Sequence, residues 1–192
     1  TTNPAAASTT VTDDGDATTV TLSATPSVAE GGSIVYTATL SNAAQTPITV
    51  TLSTGQTINI AAGATSGSVA ILAPADDVYV DAGSVTRTIT ATSGGNFEDL
   101  QVGNASATTA VTDTIDATTV SITGDATVIE GATANYTVSL TSPAQTAVTV
   151  NLTYSGTAAD GSDYTGVASV LIPAGASSAS FNVATLQDVI GE

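Results

Sequence analysis

The sequence has no cysteine, histidine, methionine or tryptophan, and its 192 residues carry a single cation, Arg87. Each absence removes a class of chemistry. Without cysteine there are no disulfide staples and no thiol nucleophile, and without cysteine and histidine the usual zinc ligands are gone. The lack of histidine and lysine also takes away the commonest general bases and Schiff-base nucleophiles, so the chain is not expected to be an enzyme. One arginine cannot neutralise a run of phosphates or an anionic headgroup layer, which argues against nucleic acid and membrane surfaces as partners. No stretch reaches the apolar length of a transmembrane helix, and no basic segment precedes an apolar one as in a signal peptide. The sequence reads as an internal segment of a secreted protein.

What is present is mainly Ala, Thr, Val, Ser and Gly, with 17 acidic residues and a formal net charge of −16. Such a chain is a good partner for divalent cations. It is also repetitive. Asp16-Ala17-Thr18-Thr19-Val20 recurs as Asp116-Ala117-Thr118-Thr119-Val120, Glu30-Gly31 as Glu130-Gly131, and Tyr36-Thr37 as Tyr136-Thr137, each 100 residues further on. The offset then grows to 112, where Ile60-Ala61-Ala62-Gly63-Ala64 recurs as Ile172-Pro173-Ala174-Gly175-Ala176, because the second copy carries an insertion around 156–164. Residues 7–13 resemble 107–113, so 1–16 are expected to be the closing strand and linker of a preceding repeat. Residues 17–116 then form a complete repeat. Residues 117–192 form a second one that stops before its last two strands, since Asp77-Val78-Tyr79-Val80-Asp81 aligns with Asp188-Val189-Ile190-Gly191-Glu192.

Within a repeat the hydrophobic period is two, with turn residues between short runs. In 33–40, Ile34, Tyr36, Ala38 and Leu40 share one face while Val35, Thr37 and Thr39 share the other. That alternation describes an antiparallel strand buried on one side. Strands are expected over 19–24, 33–41, 47–53, 56–61, 66–73, 84–92 and 105–113. The fold class is therefore all-β: tandem immunoglobulin-like antiparallel β-sandwiches with thin cores of Val, Ile, Leu and Ala. Tyr36 and Tyr136 fall on the inward face.

Strand direction sorts the acids between the two poles of such a sandwich. The loops after the first, third and fifth strands and the exit from the seventh share one pole. That pole receives Glu30, then Asp76, Asp77 and Asp81, then Asp113 and Asp116, while the other receives only Glu98 and Asp99. In the second copy the same pole receives Glu130, Asp160, Asp163, Asp188 and Glu192. A fringe of acids that merely solvates the protein has no reason to prefer one end. Crowded carboxylates repel unless they share a cation, and hard oxygen donors converging from several loops suit Ca²⁺. Calcium is thus the expected cofactor. Its candidate ligands are Glu30, Asp76, Asp77, Asp81, Asp113, Asp116, Glu130, Asp163, Asp188 and Glu192.

At these residues the sequence resembles known families. The Glu130-Gly131 pair, the Gly161-Ser162-Asp163-Tyr164 turn, Ile172-Pro173-Ala174-Gly175 and the segment from Asp188 to Glu192 together resemble a Calx-β module over about residues 117–192. The resemblance implies calcium ligands from these same loops. The first copy lacks the Gly-Ser-Asp-Tyr turn, so an equivalent of Asp163 is missing from it. The alternation of a shorter module bearing Ala29-Glu30-Gly31-Gly32-Ser33 and Ala73-Pro74-Ala75-Asp76-Asp77 with a Calx-β-like one is similar to the repeats of giant RTX-type bacterial biofilm adhesins. That resemblance spans essentially the whole chain. It implies a secreted, cell-surface extender exported by type I secretion, holding a distal adhesive domain away from the cell.

Two functional classes follow from the residues. A structural extender with calcium-rigidified junctions has as partners the neighbouring repeats of its own chain and calcium. A surface- or glycan-binding module would expose clustered aromatics, and only 4% of this chain is aromatic. An incomplete second sandwich would also present open strand edges, so two outcomes are expected: strand exchange between copies, with 5–13 in the pattern of the closing strand, or a sequence that is a fragment of a longer polymer.

Overall fold

The structure, a computed structural model, describes residues 6–12 and 14–187. It divides into two compact units, Thr1–Thr114 and Ile115–Glu192. Among the described residues the secondary structure is all-β, without a helix.

The first unit holds β1 (Ala17–Ala24), β2 (Ser27–Ala29), β3 (Ser33–Leu40), β4 (Ile48–Leu52), β5 (Thr57–Ile60), β6 (Ser66–Leu72), β7 (Gly83–Gly94), β8 (Asp99–Val102) and β9 (Ser106–Thr112). They form two sheets in the orders β6-β3-β1-β8 and β2-β9-β7-β4-β5. The result is an immunoglobulin-like sandwich. Seven of these strands lie where the alternation places them. The short β2 and β8 were not expected, because each exists through a parallel pairing with a distant strand, β2 with β9 and β8 with β1. Local pattern carries no trace of such partners. The first strand is broken at Pro26, which has no N–H to continue a ladder, and the chain crosses there from one sheet to the other.

The alternating face of β3 builds the core. Ile34, Tyr36, Ala38 and Leu40 are buried, and they meet Val20 and Leu22 from β1, Ile48, Val50 and Leu52 from β4, and Ile58 and Ile60 from β5. Tyr36 reaches across the sandwich so that its hydroxyl donates to the Val85 carbonyl of β7 at 3.0 Å. A buried tyrosine needs such a partner for its polar end. Phe97 packs against the same core.

The second unit holds β10 (Val120–Gly124), β11 (Thr133–Leu140), β12 (Val148–Asn151), β13 (Tyr164–Thr165), β14 (Ser169–Ile172) and β15 (Ser178–Thr185). Its sheets run β10-β11-β15-β13 and β12-β14. The repeat is visible in the register: Val20 faces Leu40 as Val120 faces Leu140, and Ala24 faces Tyr36 as Gly124 faces Tyr136. The insertion supplies β13 and a bridge from Asp160 to Tyr164. Among the described residues of this unit, no strand takes the places that β7 and β9 take in the first. Its core is correspondingly small: Val138, Val170 and Ile172 form the buried centre, with Leu152, Phe181 and others half-buried around them.

Candidate metal centre

Three acidic side chains meet at one pole of the first unit. Glu30 follows β2, Asp81 precedes β7 and Asp113 follows β9, and one carboxylate oxygen from each lies within 4.8 Å of the others. Backbone hydrogen bonds bring the three segments together. The Glu30 amide donates to the Thr112 carbonyl at 3.1 Å, which sets the end of β2 beside the exit of β9. The Gly31 amide donates to the Pro74 carbonyl at 2.6 Å, and the Ala73 amide to the Gly32 carbonyl at 2.9 Å. These two bonds draw the loop before β7 over the same place. Gly31 adopts φ +67°, a left-handed turn that glycine enters without steric cost.

The electrostatics are unusual for a surface loop. Glu30 is only 7% exposed. Its Oε2 and the Oδ1 of Asp113 are buried without a hydrogen-bond partner. A hydrogen bond shared with Asp81, then burial, then the negative charges of Asp81, Asp113 and Asp77 push the Glu30 carboxyl from its ordinary 4.5 up to about 7. Among the described residues no cation compensates this negative charge, since Arg87 donates to the Thr86 carbonyl instead. Oxygen donors alone, drawn from three segments, are the kind of set that a hard cation takes.

The other candidates are placed differently. Asp76 accepts a hydrogen bond from the Thr114 hydroxyl. Asp77 Oδ1 accepts from the Tyr79 amide at 2.8 Å, an Asx turn that shapes its own loop. Asp116 is exposed and falls in the second unit, and Glu130 is exposed as well. In the insertion, Asp163 Oδ2 accepts from the Ala159 amide at 2.6 Å and Asp160 Oδ1 from the Gly166 amide at 2.7 Å. These carboxylates cap their own turn. Gly131 lies against Gln187 as Gly31 lies against Asp76, so the second copy carries an amide where the first carries an acid. Asp188 and Glu192 lie outside the described residues.

Repeated immunoglobulin-like sandwiches, with oxygen donors gathered at a pole, define a repeat-built β-sandwich protein. Within that class the chain belongs to the LapA domain family, whose model matches residues 16–114, just over half of the sequence and all of β1 to β9. Membership places it among LapA-like biofilm adhesins, a family of adhesion proteins rather than enzymes, associated with the cell surface or the extracellular space. No curated protein matches the sequence. Among the described residues no helix is long and apolar enough to cross a membrane.

Proposed function

We propose that this chain is a structural extender of a giant RTX-type biofilm adhesin, exported by type I secretion, in which calcium stiffens the ends of the β-sandwich repeats. The reading rests on one observation above all: the carboxylates of Glu30, Asp81 and Asp113 converge within 4.8 Å, and two of their oxygens are buried and unpartnered. Burying carboxylate oxygens without a donor is costly, and a bound cation offsets that cost. Ca²⁺ takes six to eight oxygens, typically, so these three side chains would be joined by backbone carbonyls or water. Asp76 and Asp77, one step further out, would add negative charge. Asp116 and, in the Calx-β-like second copy, Glu130, Asp188 and Glu192 would serve the corresponding end of each repeat, and Asp163, whose Oδ2 already accepts from the Ala159 amide, would offer only its other carboxylate oxygen. A chain of like modules with stiffened joints projects a distal domain, and strong acidity keeps it extended and soluble.

The test is calorimetric titration of the full chain with calcium, followed by thermal melts and small-angle scattering in calcium and in chelator. Binding heat, a raised melting temperature and a larger maximum dimension are expected. No heat and unchanged melting would leave the acids as a solvated fringe.

A second reading has its own observation. At the other pole of the first unit a cavity of about 410 Å³ is lined by Asp16, Asn42, Gln45, Asn96, Phe97 and Glu98. Amides, acids and one ring edge are groups that can hold a glycan. A glycan array with purified chain discriminates: hits abolished by Asn96→Ala favour binding, and a blank array favours the extender.

A further inference from the structure

Tension along the chain meets the first unit at two particular strands. The chain enters this unit at Ala17, the start of β1, and leaves it after Thr112, the end of β9. β1 lies in the sheet β6-β3-β1-β8, and at Thr25-Pro26 the chain passes into β2, at the edge of the opposite sheet, directly beside β9. The sheet that receives the pull is thus joined to the strand that carries it onward by the short β2. That pairing is parallel, Ser27 facing Ala110, Val28 facing Val111 and Ala29 facing Thr112. A pull at the entry draws β2 back toward its start, while a pull at the exit draws β9 on past its end. Parallel partners drawn this way slide along each other, so their evenly spaced bonds are loaded together. An antiparallel hairpin pulled at its open end gives up one bond at a time instead.

The pairing is bonded beyond its three residues. Upstream the Ala110 amide donates to the Pro26 carbonyl at 3.0 Å, and downstream the Glu30 amide donates to the Thr112 carbonyl at 3.1 Å. Two side chains of β9 add to this. The Thr112 hydroxyl donates to the Val28 carbonyl at 3.3 Å, and the hydroxyl of Thr109, a residue 0% exposed, donates to the Thr25 carbonyl at 2.6 Å. On its other side β9 is held by β7 from Gly83 to Thr88. The acidic pole closes the same strands. Glu30 follows β2, Asp113 follows β9 and Asp81 precedes β7, and these three strands are neighbours in one sheet. A cation shared by the three carboxylates ties the downstream ends of both sliding strands to a third.

We infer that β2 and β9 are a shear clamp through which this repeat bears tension along the chain, and that a cation held by Glu30, Asp81 and Asp113 locks it. The direction of the load rests on the extender reading, whereas the pairing that resists it does not. The rest of the sandwich opens only after the clamp gives, so lifetime under force follows a few bonds rather than the stability of the whole unit.

Constant-force unfolding of the full chain in magnetic tweezers tests this. The chain has no native cysteine, so Asp14→Cys and Ala117→Cys, both at exposed positions, supply handles on either side of the first unit. In chelator, Ala110→Pro deletes the amide bonded to Pro26, which faces β2 rather than β7, and should shorten the lifetime under force about fivefold, the effect of one ordinary hydrogen bond. Thr109→Val deletes the hydroxyl bonded to Thr25 and should do the same. It decides alone if circular dichroism shows the proline variant unfolded. Gly67→Ala, in β6 of the opposite sheet, should lower the melting temperature yet leave the lifetime nearer to wild type than either clamp variant does. Saturating calcium should lengthen the wild-type lifetime and not that of Glu30→Gln. Clamp variants as long-lived as wild type overturn the inference, and so does a Gly67→Ala lifetime as short as theirs. Shortened clamp variants with no effect of calcium uphold the clamp and overturn the lock, which separates failure of the calcium reading from failure of the clamp.

Discussion

Glu30 carries its raised pKa into the fold with a buried carboxylate oxygen, so its ionisation is linked to stability. A carboxyl whose folded pKa lies above its unfolded value stabilises the fold below the unfolded value, and that contribution disappears as pH rises through the folded one. For Glu30 the window runs from its ordinary 4.5 to about 7. In chelator, the melting temperature should therefore fall between about pH 5 and about pH 8, and Glu30→Gln should flatten this slope. An unchanged slope in that variant would assign the effect to another group. Calcium competes with the same proton, so its affinity should climb over the same window. The neighbours divide by what their oxygens already do. Asp113→Asn takes the negative charge and one carboxylate oxygen from the trio and should weaken calcium binding more than Asp77→Asn, whose side chain is engaged with the Tyr79 amide. Titration calorimetry of the two variants side by side measures the difference. Sequence placed all these acids at one pole by strand parity alone. It had no means to tell an acid that turns inward from one consumed by its own loop, because that depends on single backbone amides such as Tyr79 and Ala159.

At the scale of strands, one glycine decides how closely two elements approach. A Cβ on Gly67 of β6 would stand 2.3 Å from the Asn59 carbonyl oxygen of β5, an atom of the backbone that cannot swing aside. The second copy has Ala179 at this place, facing Val138 as Gly67 faces Ala38. Close packing of β5 on β6 is thus a property of the first unit. Gly67→Ala should destabilise it by about 2–3 kcal/mol through strand displacement, read by urea unfolding, whereas Gly63→Ala, with open space around it, should cost only its positive φ, about 1 kcal/mol. The elements themselves were largely legible. Alternation in 33–40 gave both the strand and its buried face, because half of it meets a core and half meets water. β2, β8 and β13 were not legible, being two to four residues long and held by partners far away in sequence. Nor could the pattern show that Tyr36 hangs on the Val85 carbonyl, a contact spanning 49 residues.

For the whole molecule the dominant quantity is charge: −16 with one arginine. Self-repulsion on that scale destabilises any compact state, and simple salt relieves it by screening. Two mechanisms of ionic stabilisation therefore overlap and must be separated. Sodium chloride in chelator should raise the melting temperature gradually, as the Debye length shortens from roughly 30 Å at 0.01 M to roughly 10 Å at 0.1 M. Calcium should act at concentrations where its screening is negligible, and should saturate. At free calcium near one hundred times its dissociation constant, one site that binds only the folded state adds about 2.7 kcal/mol. Glu30→Gln combined with Asp113→Asn should abolish the saturable step and leave the gradual salt response intact, because the diffuse charge is almost unchanged. If wild type and the double variant respond alike to calcium at matched ionic strength, the pole is only a concentration of charge, and the acids stabilise nothing by sharing an ion.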